Sequence, residues 1–194
     1  MSKPSRPVTL RQRRLGGQNT KWDVFWDDIS GDDGSSVDNY LVIAPRARSS
    51  TNVGGVTVLP VLADGRVGLV RMYRHPLDLE AWEAPRGFLD PGETNYAAAA
   101  LRELVEEAGL VGTFEKTVAV GTFAQEASTI CAMGALFIAF DCETGDRPDH
   151  TEPGLGELAF FTLDQALAMA DRGEIQDSAT LITLYRYALG RHRK

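Results

Sequence analysis

The stretch Gly87-Phe88-Leu89-Asp90-Pro91-Gly92-Glu93, followed past a run of four alanines by Arg102-Glu103-Leu104-Val105-Glu106-Glu107-Ala108-Gly109-Leu110, decides how this 194-residue chain reads. Its second half predicts a helix over residues 95–108, with Gly109 placed to cap the C-terminus. At about 100° per residue, Ala97, Ala98, Leu104, Val105 and Ala108 fall within about 60° of Leu101. Glu103, Glu106 and Glu107 fall on the opposite side, near 200°, 140° and 240° by the same roughly 100° step. An apolar face therefore docks on a core, while three carboxylates at i, i+3 and i+4 share the other face. Like charges at that spacing cost a few tenths of a kcal/mol per pair. A solvated surface helix tolerates that cost; a divalent cation with oxygen ligands offsets it. The tight glycine-rich backbone beside the helix favours the cation.

This segment resembles the Nudix hydrolase signature: a glycine, a glutamate, then Arg-Glu-aliphatic-any-Glu-Glu-any-Gly-aliphatic. The resemblance implies the Nudix α/β/α sandwich, an α+β (mixed α/β) fold with a mixed sheet between helices. It also implies hydrolysis of a nucleoside diphosphate linked to some other moiety, with Mg²⁺ or Mn²⁺ as cofactor. Carried onto this chain, it makes Glu103, Glu106 and Glu107 the metal ligands, Glu106 and Glu107 catalytic with them, and the Arg86 carbonyl a further ligand. Arg102 is then the partner of Glu93. One departure stands out: eight residues separate Glu93 from Arg102, one more than the family pattern has. Inside a continuous helix, that residue would turn Glu93 by about 100° away from the arginine. Thr94 and Asn95 are good N-cap residues, so the loop is expected to absorb it, with regular helix from about Tyr96.

Working outward, Val58-Leu59-Pro60-Val61, the run from Gly68 to Pro76, Trp82-Glu83-Ala84-Pro85-Arg86 and, far downstream, Gly173-Glu174-Ile175-Gln176-Asp177 with Thr180-Leu181 are similar to the ADP-ribose pyrophosphatase branch of that family. The branch implies a nucleoside diphosphate sugar as substrate, ADP-ribose favoured, split to AMP and ribose 5-phosphate. Arg74 and Arg71 are the arginines expected on substrate, since a guanidinium suits bidentate phosphate contact. Glu83 either orients the loop or approaches the metal. Glu126, in a loop lacking the proline that the branch often has there, is the first candidate to take a proton from the attacking water; Glu152 and Glu157 are others. Trp26, Trp22 or Tyr40 would stack on the ring base. Other substrates (NADH, dinucleoside polyphosphates) and a non-catalytic ligand-sensing Nudix domain are the alternatives.

The rest of the chain sets the frame. Residues 1–21 hold Lys3, Arg6, Arg11, Arg13, Arg14 and Lys21 and no acid, leaving 14 basic against 27 acidic residues beyond them. An acidic body argues against nucleic acid as the main ligand. No apolar run approaches the roughly 20 residues of a membrane span, and none behind the basic N-terminus resembles a secretory signal. Cys131 and Cys142 have no metal-type spacing and make no disulfide framework, so the cytoplasm is expected. His75, His150 and His192 lack ligand-spaced partners. Residues 1–20 read as a tail with little periodicity, whereas Trp22, Val24 and Trp26 alternate as on a half-buried strand. The division expected is residues 1–50, an N-terminal arm and strands, and 51–194, the hydrolase domain. The branch implies a homodimer in which the N-terminal strands cross to the partner.

Overall fold

The computed structural model describes residues 7–146, 148 and 152–190. Lys3, Arg6, His150 and His192 lie outside the described residues. In chain order the elements are β1 (Val8–Gln18), β2 (Trp22–Gly31), β3 (Ser36–Pro45), β4 (Val53–Val61), β5 (Val67–Arg74), β6 (Leu79–Glu83), β7 (Arg86–Phe88), α1 (Tyr96–Ala108), β8 (Leu110–Val111), β9 (Thr117–Ala124), β10 (Met133–Phe140), β11 (Glu143–Thr144), β12 (Leu155–Phe161), α2 (Leu163–Asp171) and α3 (Ser178–Gly190).

Seven strands make one mixed sheet, ordered β12-β5-β4-β10-β9, with the short β6 and β7 paired to β5 and β4. Only β4 and β10 run parallel. Alternation along the strands feeds two cores. Val58, Ala135, Phe137 and Ala139 face α1 and meet Ala99, Ala100 and Leu104. Leu59, Leu69 and Ile138 face the other way and meet α2 and α3 through Ala166, Met169 and Leu184. Leu59, Leu69, Leu104 and Leu184 are fully buried, each contributing roughly 1.5–3 kcal/mol relative to exposure. The α/β/α sandwich is therefore present, with the acidic helix as one outer layer.

The expected tail is instead a strand. Val8–Gln18 pairs along nearly its whole length with β2, and β3 completes a separate three-stranded sheet. Its stability comes from across the sheet rather than from its own pattern. Arg13 makes a two-pronged pair with Asp27 at 2.6 and 2.7 Å, Arg14 another with Asp28, and Arg11 reaches Asp38. Most of β1 stays exposed on both faces, so the period-2 signal that marks a half-buried strand never develops. The N-terminal sheet is also tied to the body: Ile43 exchanges backbone hydrogen bonds with Thr129 and Cys131, and the Tyr40 hydroxyl donates to the Ser128 carbonyl.

Candidate active site

Three elements meet at the site: β4, β7 with the loop after it, and α1. Helix α1 begins at Tyr96, where the Asn95 side chain accepts the Ala98 N–H at 3.1 Å. It ends at Gly109, whose φ of 61° is the left-handed cap that glycine supplies without strain. The helix is regular from end to end, so the loop has absorbed the extra residue. Arg102 accordingly reaches back into that loop. Its Nη2 donates to the Phe88 carbonyl at 3.0 Å and lies 3.5 Å from Glu93, while Glu93 accepts the Asp90 N–H.

Two of the three carboxylates on the acidic face of α1 lie beneath β7 rather than in water. Glu103 and Glu107 are buried; Glu106 is exposed. Glu107 accepts the Arg86 N–H at 2.9 Å. Glu103 fits under Gly87 so closely that a Cβ there would lie 2.2 Å from its carboxylate oxygen. A second glycine makes room above: a Cβ on Gly55 of β4 would lie 2.7 Å from the Gly87 carbonyl. Burial pushes the Glu107 carboxyl up to about 8, with Glu103 and Glu152 adding to the rise. Burial likewise pushes Glu103 up to about 7 against the opposing pull of Arg102. At both carboxyls the loss of water outweighs the nearby positive charge, Arg102 for Glu103 and Arg74 for Glu107.

Glu103, Glu106, Glu107 and Glu152 line one cavity of about 280 Å³. Among the described residues, no three acidic, histidine or cysteine side chains are drawn together closely enough to hold an ion as they stand. The charge between Glu103 and Glu106 is Arg102, whose Nη1 donates to them at 2.7 and 3.0 Å. The donor chemistry nevertheless fits Mg²⁺ or Mn²⁺, which take hard oxygen ligands. A larger cavity, about 570 Å³, shares Glu103 and Glu106 of the same helix and is also lined by Lys21, Trp22 and Phe88. Trp22 and Phe88 meet edge to face at 5.1 Å.

The expected residues divide accordingly. Arg74 lines the large cavity; its Nε and Nη2 are taken by Glu83 at 2.9 and 2.6 Å, leaving Nη1 facing Glu152 at 3.8 Å. Glu83 is thus the residue that orients Arg74. Arg71, three positions away and so on the opposite face of β5, binds Glu80 over the Trp82 ring and does not line the cavity. Trp26 is also absent from the cavity wall. Its indole lies across Gly16 of β1, and Trp22, two turns of the pleat earlier, holds the position expected of it. Glu126 is turned into its own loop, where it accepts the Ser128 N–H and hydroxyl. Glu152 lines both cavities instead, while Glu157 lines neither. Lys21 and Phe88 are cavity residues that sequence reasoning missed, because only folding brings β2 against β7. The basic residues of β1 are neutralised by Asp27, Asp28 and Asp38 and present no phosphate-binding stripe.

Several known proteins are similar to this chain. The NUDIX domain family matches residues 51–182. The ADP-ribose pyrophosphatase of Bacillus subtilis (strain 168) is 27% identical over 159 residues, 81% of this chain and 80% of that protein. The ADP-ribose pyrophosphatase of Mycobacterium tuberculosis is 30% identical over 134 residues, 66% of this chain and 61% of that protein. The methanol dehydrogenase activator of Bacillus methanolicus is 29% identical over 163 residues, 81% of this chain and 80% of that protein. The crystal structure of an ADP compounds hydrolase superposes with a TM-score of 0.76 over 100% of both chains at 20% identity, a likeness of fold.

Proposed function

This chain belongs to the Nudix hydrolase family, and from that premise we propose that it hydrolyses the diphosphate of ADP-ribose to AMP and ribose 5-phosphate. One observation carries the choice of substrate. The large cavity is lined both by carboxylates with Arg74 and by the Trp22–Phe88 pair, the two chemistries of a diphosphate joined to a flat base. Relatives that are themselves ADP-ribose pyrophosphatases support it.

Glu103, Glu106 and Glu107 would hold Mg²⁺ or Mn²⁺, with the Arg86 carbonyl a further ligand. The cation supplies neutralisation of the diphosphate and acidification of the attacking water. Arg74, fixed by Glu83, clamps a phosphate oxygen through its remaining Nη1. Glu152, between the two cavities, takes the proton from the water, the role first expected of Glu126. Trp22 offers its ring face to the base. With a cation held by Glu103 and Glu106, Arg102 would keep its contacts with Phe88 and Glu93 in the loop.

We further propose a homodimer formed through the N-terminal sheet, where Val8, Leu10, Leu15, Trp26 and Val37 are each exposed. No described helix is long and apolar enough to cross a membrane. Cys131 and Cys142 are unpaired, in keeping with work in the reducing cytoplasm.

The test is a panel of ADP-ribose, other nucleoside diphosphate sugars, NADH and dinucleoside polyphosphates, with Mg²⁺ or Mn²⁺ and with chelator, read as nucleotide products. ADP-ribose should give AMP and ribose 5-phosphate fastest, and chelator should abolish it. Faster turnover of NADH or a dinucleoside polyphosphate would replace the substrate assignment. Turnover that survives chelation would remove the metal, and no turnover of any compound would leave the ligand-sensing reading. In the same assay Glu152→Gln should lower kcat far more than Glu126→Gln; the reverse order would return the base to Glu126.

A further inference from the structure

Trp82 to Gly87, the segment that carries the Arg86-Gly87 peptide over the acidic helix, is held from behind by residues far along the chain. The Trp82 N–H donates to the Glu174 carbonyl at 3.0 Å. The Ala84 N–H donates to the hydroxyl of Thr180, a fully buried side chain of α3, at 3.0 Å. Asp177, just before α3, joins both halves of the arrangement. Its Oδ2 accepts the Thr180 N–H and hydroxyl at 2.8 Å each, and its Oδ1 accepts Arg86 Nη1 at 2.6 Å. The Arg86 Nε in turn lies 3.3 Å from Glu83, which already binds Arg74 through both oxygens.

Charges thus alternate along a line: Arg74, Glu83, Arg86, Asp177. We propose that Asp177, assisted by Thr180, is a positioning residue of the hydrolytic site. It pins Arg86 and so fixes both the Arg86 N–H that holds Glu107 and the adjoining Gly87 that covers Glu103. Without Asp177, the Arg86 guanidinium has only Glu83 to turn to, and that carboxylate is committed to orienting Arg74. A purely structural role, capping α3, would use the Oδ2 bonds alone. The Oδ1–Arg86 contact, 91 residues apart in sequence, is what a cap does not need. This inference rests on the metal reading above, since its main effect is on how firmly Glu103 and Glu107 are presented.

The experiment uses the full chain, with Mn²⁺ binding followed by electron paramagnetic resonance and amide hydrogen exchange followed over residues 84–88. Asp177→Asn keeps a good helix-capping residue but removes the negative charge that faces Arg86. It should weaken Mn²⁺ binding by about 10- to 100-fold, the usual effect of losing an outer partner of a metal ligand. It should also speed exchange of the 84–88 amides severalfold. In an Arg86→Gln background, Asp177→Asn should change Mn²⁺ affinity no further. Thr180→Val, of similar shape, should speed the same exchange and serves if Asp177→Asn does not fold. Unchanged Mn²⁺ affinity and unchanged exchange in either folded variant would overturn the proposal, as would equal losses with and without Arg86. If the unsubstituted protein binds no Mn²⁺, the metal reading fails, and the exchange of residues 84–88 alone decides whether Asp177 braces the loop.

Discussion

Because burial raises Glu103 to about 7 and Glu107 to about 8, the folded metal-free chain keeps protons that the unfolded chain releases near pH 4.5. The folded state binds more protons across that window, so its stability falls as pH rises from about 5 to about 8. A divalent cation favours the ionised carboxylates and should flatten the profile. Thermal melts of chelator-treated protein should show Tm declining over this range, with Mg²⁺ or Mn²⁺ restoring most at the alkaline end; a metal-free Tm that rises with pH would contradict the assignment. Glu106→Gln and Glu107→Gln should each lower kcat by about 10²-fold or more with little change in KM, since they remove charge that acts on the transition state. Near-normal kcat in both at saturating Mg²⁺ would remove the metal role from this face. Trp22→Ala should raise KM by about tenfold or more if a base stacks there, each such contact being worth roughly 1–3 kcal/mol. The same change at Trp26 should leave KM of an isolated protomer's site unmoved, and KM measurements on the pair separate the two tryptophans.

At the scale of the element, α1 and the loop before it work as a unit with two independent supports. Asn95 caps the first turn, so Asn95→Ala should cost about 1 kcal/mol in a urea unfolding midpoint while Glu103 and Glu107 keep their places. Gly87 acts on the other side. An alanine there meets the end of the Glu103 side chain at 2.2 Å, and a flexible carboxylate can swing away. Gly87→Ala should therefore leave the unfolding midpoint within about 1 kcal/mol of the parent, a modest effect for one substitution. Its kcat should fall steeply, because the displaced group is one of the proposed metal ligands. A Gly87→Ala protein with full kcat would show that Glu103 is dispensable. Most of this unit was legible in advance. Cap residues, apolar phase and carboxylate spacing are all set within twenty-odd residues of chain. Even the extra residue before Arg102 could be assigned to the loop, because Asn95 is a better cap than the alanines are a bulge. What local pattern did not reveal is that β7 covers the acidic face, since β7 is three residues long and carries no periodicity.

For the whole molecule, the N-terminal sheet is the part whose role reaches furthest. It supplies Lys21 and Trp22 to the large cavity, binds the loop of Glu126 through Tyr40 and Ile43, and leaves an apolar set exposed. Removing residues 1–50 should therefore abolish both the dimer and turnover, read by light scattering and by the ADP-ribose assay. A truncated monomer of full activity would refute the arrangement. A full-length chain that is monomeric at micromolar concentration would separate the cavity role of the sheet from dimerisation.

The sequence by itself determined the acidic helix, its caps, the glycine loop, the sandwich of helices on a mixed sheet, and the family. The helix, its caps and the loop are written in residues close together, where hydrophobic phase and backbone preference act locally; the sandwich came from the order of elements and the family motif. Tertiary structure alone decided that residues 8–18 form a strand, because the stabilising partners Asp27, Asp28 and Asp38 lie across the sheet. It alone placed Trp22 rather than Trp26 at the cavity, turned Arg71 away and Arg74 in, and lined both cavities with Glu152 rather than Glu126. It also brought Asp177 to Arg86 across 91 residues. A single sequence records which side chains alternate along a strand, but which strand lies over which loop follows only from how the apolar faces find one another.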